Sequence, residues 1–390
     1  MDYDIEFQNV SFRYAGADKY ALRDINVKIE PGEIILVTGP AGSGKTTFCS
    51  CINGLVPHYH EGELKGQVTV RSYNTQRARI GGLASLVGMV FQDPESQLVS
   101  SSVIDEVAFG PENLGVPRAE INQRVAEALK STRLAGFEER EPHNLSGGEQ
   151  QACVIAATYS MHPEIYVMDE PLANLDPEGR NHVLQVLVEV AKQRKKTLVI
   201  VEHSLEEVLP LVDRVIVLDQ GQIVRDGTVN EVLEGGDIPR VFTRPGIIRL
   251  ADKYGLSLKT FTAEKFYTDL NSRNHLGVID FTKQTDPPPR ETSSTPIIEF
   301  QNVHYSYKGN NAALKGVNLT IHQGELVAIL GRNGSGKTTL VRHIIGLIQP
   351  AQGRVIVSGK DVASTPTHEL TQEIGFCFQN PNHQFVSFKV

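Results

Sequence analysis

One sequence occurs twice in this chain and restricts its fold more than any other: G-P-A-G-S-G-K-T-T at 39–47 and G-R-N-G-S-G-K-T-T at 331–339. The first copy directly follows the apolar run I-I-L-V at 34–37 and opens a stretch of helical character, the strand–loop–helix context a phosphate loop requires. Glycines let backbone N–H groups turn inward around phosphate oxygens, and the following helix start adds the positive end of its dipole. The candidate nucleotide-binding residues are therefore Gly39, Pro40, Ala41, Gly42, Ser43, Gly44, Lys45, Thr46 and Thr47. Their counterparts are Gly331, Arg332, Asn333, Gly334, Ser335, Gly336, Lys337, Thr338 and Thr339. Lys45 and Lys337 should reach the β- and γ-phosphates, and the Thr46 and Thr338 hydroxyls should ligate magnesium.

The duplication extends beyond the loops. I-E-F-Q-N-V stands at 5–10 and again at 298–303, and V-F-Q-D-P-E-S-Q at 90–97 matches C-F-Q-N-P-N-H-Q at 377–384. The offset is 292 residues at the phosphate loops and 287 at the glutamines, which fits five extra residues inside 57–66 of the first copy. Such a period is far too long for a solenoid and indicates a duplicated domain. We expect a complete domain at 1–235, a partly helical, proline-rich linker at 236–296, and the front of a second domain at 297–390. Within the linker, 247–254 and 263–271 are helix-compatible, and T-D-P-P-P-R-E-T-S-S-T-P at 285–296 is extended. It carries nine Lys/Arg against seven Asp/Glu, so it is no basic arm, and the net charge of −8 argues against broad binding to nucleic acid. Four cysteines, none in a C-x-x-C pair, read as reduced thiols, the acidic N-terminus does not resemble a signal peptide, and no apolar run approaches a membrane span.

In the first copy, the apolar runs 34–37, 165–168, 198–201 and 215–218 read as buried strands. Amphipathic stretches at 118–131, 147–160 and 178–194 read as helices, so the fold class is α/β with a mostly parallel sheet. I-Y-V-M-D-E at 165–170 ends a strand on two acids: Asp169 would hold magnesium and Glu170 would polarise the attacking water. His203 follows T-L-V-I-V and precedes S-L-E-E, where Ser204 and Glu207 form a capping box; this places it on a strand-to-helix turn at the carboxyl end of the sheet. L-S-G-G-E-Q-Q at 145–151 opens another helix through a box of Ser146 and Glu149, its two glycines leaving N–H groups open to an anion.

This set, in this order, resembles the ATPase domain of ABC transporters, completely over about 5–235 and in part over 298–390. The resemblance implies that ATP and Mg²⁺ are the ligands and that Tyr14 and Tyr307 stack on adenine. It also implies that Gln92 and Gln379 touch magnesium and water and sense the transporter. Leu145, Ser146, Gly147, Gly148, Glu149 and Gln150 form the signature that reaches ATP from an opposing domain, and Asp176 falls in the inter-subunit contact loop. Asp176 equally reads as a plain N-cap before Pro177. The doubled glutamine motif and N-G-L-V-P-H-Y-H-E-G at 53–62 resemble tandem ATPases of energy-coupling factor importers. Those work on the cytoplasmic face with a transmembrane coupling subunit and a substrate-capturing membrane subunit, taking up vitamins, their precursors or transition-metal ions. ABC domains pair head to tail, within or between chains.

Two alternatives stand beside this: a soluble tandem ATPase acting on ribosomes or in DNA repair, and a nucleotide-binding chain with little turnover. The second follows from residues 297–390, which hold a phosphate loop and a glutamine but no counterpart of the signature, the acid pair or His203. The expectation is a truncated tandem ATPase that hydrolyses ATP poorly unless first copies from two chains pair, and whose second copy exposes strand edges and apolar surface.

Overall fold

Residues 3–173, 175, 177–234, 246, 248, 268, 295–307, 312–331 and 334–377 are described in a computed structural model of the chain. Two units are distinguished, Met1–Asp280 and Phe281–Val390. Along the first run β1 (Ile5–Tyr14), β2 (Leu22–Ile29), β3 (Ile34–Thr38), α1 (Lys45–Ile52), β4 (Gly62–Val70), β5 (Tyr73–Asn74) and β6 (Val87–Val90). There follow α2 (Val103–Asn113), α3 (Arg118–Ser131), α4 (Gly147–Ser160), β7 (Ile165–Asp169), α5 (Pro177–Arg194), β8 (Thr197–Val201), β9 (Arg214–Asp219) and β10 (Gln222–Thr228). The four apolar runs and three amphipathic stretches are strands and helices as expected, α5 starting one residue earlier because Pro177 suits the first helical position.

The central sheet has the order β10-β9-β3-β8-β7-β6, parallel except for the edge hairpin strand β10. Its strands are buried on both faces, so they read as continuous apolar runs, and their period of two divides the side chains between two cores. Ile34, Leu36, Leu198 and Ile200 face a core shared with α4 and α5. Ile35, Val37, Val199 and Val201 face a second core with Phe48 of α1 and Ile5 and Phe7 of β1.

That second core is closed by a separate antiparallel sheet, β2-β1-β4-β5, which the motif reading did not foresee. Alternation along β1 is interrupted between Gln8 and Val10 by Asn9, whose φ is +52° and whose N–H donates to Asn26 Oδ1 at 2.9 Å. At the far end of this sheet, buried Asp4 accepts from the Thr197 hydroxyl at 2.6 Å and from Arg71 Nε at 2.9 Å, tying β1 to β8.

In the second unit, β11 (Pro296–Ser306), β12 (Ala312–His322), β13 (Gln352–Val357) and β14 (Lys360–Asp361) form an antiparallel sheet of order β12-β11-β13-β14. It packs on α6 (Lys337–Ile344) through Phe300, Leu314, Leu340, Ile344 and Val355. The Asn9 bulge recurs at Asn302, φ +51°, whose N–H donates to Asn318 Oδ1 at 2.9 Å. Residues 326–330, the counterpart of β3, have no strand structure, and Leu326 and Leu330 are 90% and 89% exposed. Of the linker helices anticipated at 247–254 and 263–271, all but single positions lie outside the described residues.

Candidate nucleotide site

Parallel strands deliver all their carboxyl ends to one edge, so residues remote in sequence converge there. The phosphate loop leaves β3, Gln92 follows β6, Asp169 ends β7 with Glu170 next, and His203 follows β8. In the loop, Gly39 has φ +148° and a Cβ there would fall 2.0 Å from the Leu218 carbonyl oxygen. Gly44 has φ +103°, and its Cβ would meet the Ala21 oxygen at 2.4 Å. Only glycine fits either place. Lys45, 6% exposed, curls back and donates to the Gly39 and Pro40 carbonyls at 3.0 and 2.9 Å. Burial lowers its pKa, while the charges of Glu170 and Asp169 work in the other direction. The Ser43 hydroxyl is buried and has no hydrogen-bond partner among the described residues.

Asp169 is 3% exposed. Burial raises its pKa; the Thr46 hydroxyl and the Lys45 charge act in the opposite direction. Its Oδ1 has no hydrogen-bond partner among the described residues. Glu170 stands between two of the expected residues: Gln92 Nε2 donates to its Oε2 at 2.7 Å, and His203 Nε2 lies 2.9 Å from its Oε1. Its φ is +52°, a left-handed conformation that costs energy for any residue with a side chain.

Tyr14 is half-buried at the same end, its hydroxyl sharing a 3.0 Å hydrogen bond with Thr47. Tyr307 and Thr339 repeat the pair at 3.2 Å, and Lys337 repeats the curl, donating to the Gly331 carbonyl at 2.7 Å. Leu145–Gln150 stand apart: Ser146 and Glu149 form the expected capping box of α4. Among the described residues, no hydrogen bond joins 145–150 to the loop 39–47. Asp176, Arg332, Asn333 and Gln379 lie outside the described residues.

One local expectation is corrected. Ser204 caps the short helix Leu205–Val208 without a side-chain hydrogen bond, so the Ser204–Glu207 box does not form. Arg180 reaches both residues instead, donating to the Ser204 hydroxyl at 3.3 Å and lying 3.7 Å from Glu207. Ser204 has φ −81° and ψ +75°, not the extended backbone a box needs. Sequence reasoning also did not foresee the local contacts of three residues. Gln97, the second glutamine of its motif, accepts from the Phe91 N–H at 2.7 Å and donates to the Met89 carbonyl at 3.2 Å, closing the loop after β6. Thr47 escaped notice as the partner of Tyr14, although the repeated T-T in both loops signalled it. Glu202 is buried between Val201 and His203; its only signal is an acid at a strand end.

The ABC transporter family profile matches residues 22–173 and 314–389, more than half of the chain. This chain belongs to the ABC transporter family. Its relatives carry the corresponding name: a protein of Caldanaerobacter subterraneus subsp. tengcongensis, provisionally named ABC transporter ATP-binding protein TTE1589, is 38% identical across 98% of this chain and 69% of its own length. A Methanosarcina mazei relative with a similar provisional name is 36% identical across 97% of this chain and 67% of its own. Across such ABC relatives the chain spans 64–69% of their length. Among solved structures, CbiO1 of Clostridium perfringens, part of the ABC transporter complex CbiONQ, matches with TM-score 0.55 and 30% identity, over 65% of this chain and 97% of CbiO1. The ATP-binding cassette MJ0796, solved as a post-hydrolysis dimer with ADP and Pi, matches at TM-score 0.51 and 27% identity, over 58% of this chain and 98% of MJ0796. The P-loop ABC fold, with its mostly parallel sheet, is thus shared with known cassettes.

Proposed function

We propose that the chain binds and hydrolyses ATP as the peripheral subunit of a membrane importer of the energy-coupling factor type. The observation that carries this reading is Glu170, held by Gln92 and His203 at the sheet edge that also bears Lys45 and Asp169. Glu170 takes the proton of the attacking water, His203 and Gln92 orient Glu170 and that water, and Lys45 turns from its carbonyls to the β- and γ-phosphates. Tyr14 carries the base. The residues present suit magnesium: Asp169 offers a buried oxygen with no hydrogen-bond partner among the described residues, at the sheet edge that also bears the phosphate loop and its Thr46. Thr46, Asp169 and Gln92 would hold the ion, which neutralises phosphate charge when bound.

Gly147 has a negative φ and nothing within 4 Å of where its Cβ would stand, so the chain itself does not require glycine there. That supports a signature helix start kept bare for ATP on an opposing ABC domain, in a head-to-tail pair.

A groove of about 280 Å³, lined by Leu55, Phe91, Phe109, Val154 and Met161, opens beside the glutamine loop. Phe109 is 51% exposed there. An apolar groove of this kind receives a helix of a transmembrane coupling subunit. No helix among the described residues is long and apolar enough to cross a membrane. CbiO1's membership of CbiONQ supports the importer reading, with a second, substrate-capturing membrane subunit and a vitamin, vitamin precursor or transition-metal ion as solute.

The test is ATP turnover by the purified chain, with Glu170→Gln as control, and recovery of membrane proteins with the tagged chain. ATP-dependent uptake that requires Glu170 supports the proposal; recovery with ribosomes and no membrane subunit sinks it.

A further inference from the structure

Glu202 is a charged side chain, 4% exposed, that the reaction outlined above does not use. Burying a carboxylate is costly unless donors surround it. Here the Leu172 N–H donates to Oε1 at 2.8 Å and the His203 N–H to Oε2 at 3.1 Å. The backbone carbonyl of Glu202 accepts the Thr38 hydroxyl at 2.9 Å. One residue thus joins three strand ends: the last residue of β3 before the phosphate loop, the turn that leaves β7, and the histidine turn after β8.

The β7 turn needs such a restraint. Glu170 is left-handed, and backbone of that kind persists only where its surroundings over-determine it. The Glu170 N–H donates to the Val201 carbonyl at 3.0 Å, and the Ala173 N–H returns to the Glu170 carbonyl at 3.1 Å. Between them, the Leu172 N–H is held by Glu202 alone among the described residues.

We propose that Glu202 is a positioning residue for ATP hydrolysis. Its carboxylate locks the turn carrying Glu170 to the turn carrying His203, so that the 2.9 Å contact between those side chains is preset. Glu202 acts through both residues and touches neither nucleotide nor metal. The inference rests on the reading of Glu170 as the base. Glu202→Gln keeps the shape of the side chain but turns an amide donor toward a backbone N–H, so one of the two bonds must break.

Two measurements on the full chain test this. In steady-state turnover, Glu202→Gln lowers kcat about ten- to a hundredfold, because misplacement of a reacting group by about 1 Å costs that much, while KM and the Kd for Mg–ATP stay near wild type. In hydrogen exchange, the amides of Leu172 and His203 exchange faster in the variant, while those of Lys45–Ile52 do not change. A residue that only fills space would lower the thermal midpoint and leave kcat per folded molecule and both amides unaltered; that result overturns the proposal. Wild-type chain without turnover would defeat the hydrolase reading, and the exchange comparison would then decide the role of Glu202 by itself. If Glu202→Gln does not fold, Glu202→Ala takes its place: water can enter the vacated polar site and pair with the freed N–H groups. The same kcat loss and amide exchange are expected.

Discussion

Ile34–Thr38 and its counterpart Leu326–Leu330 lead into nearly the same phosphate loop, yet the first is a strand with every side chain buried and the second is strandless and exposed. The loops themselves differ little. Lys45 and Lys337 curl onto the equivalent glycine carbonyl, Tyr14 and Tyr307 bond the equivalent threonine, and Asn9 and Asn302 make the same bulge. β3 lies between β8 and β9, whereas no described strand stands beside 326–330. A phosphate loop and its helix are locally encoded; a parallel strand exists only when neighbours satisfy its backbone.

The largest effect that could break this contrast is catalytic. Glu170→Gln should lower turnover about 10²–10⁴-fold, the usual contribution of a general base, and Lys45→Ala should also be severely impaired. Lys337→Ala should leave turnover nearly intact; an equal loss from Lys337→Ala would show that both loops serve one hydrolytic site. In stability the paired change is Ile34→Ala against Leu326→Ala. The first should cost about 2–5 kcal/mol in chemical denaturation, the second within about 0.5 kcal/mol, because a cavity forms only where the side chain is buried. Amide exchange sharpens the same point: protection at 326–330 matching that at 34–38 would mean the second segment had acquired partner strands.

A smaller effect comes from Asp169, which residues 297–390 do not repeat. Burial raises its pKa, so its ionised form costs stability above that pKa and the cost fades as pH falls through it. Without nucleotide, Asp169→Asn should melt higher than wild type at alkaline pH, and the gap should close on acidification. Smallest is Tyr14→Phe, which removes one half-buried hydrogen bond and should cost about 1 kcal/mol, with Tyr307→Phe costing less because Tyr307 is 42% exposed.

Much of the site was readable in residue order. Strand–glycine–lysine, an acid pair closing an apolar run and a histidine after another each carry a local pattern, and the structure brings Lys45, Asp169, Glu170, Gln92 and His203 to one edge. The antiparallel sheet was not foreseen, because β1, β2 and β4 carry weaker alternation interrupted by the Asn9 bulge. The Ser204–Glu207 box was misread because the motif is local, and Arg180, remote in sequence, competes for both side chains. Glu202 carried no motif at all; its role lies in N–H groups from two different turns.

Residue order alone therefore determined the duplication, the phosphate loops, the buried runs of the first copy and the identity of the chemical groups. It could do so because glycine conformation, period-two burial and helix capping act over a few residues. Tertiary structure alone decided which strands stand side by side, that Glu170 lies between Gln92 and His203, and that one apolar segment is a core strand while its repeat is exposed. Those outcomes depend on contacts between residues up to about two hundred positions apart, as between Asp4 and Thr197. No local pattern in the chain records such contacts.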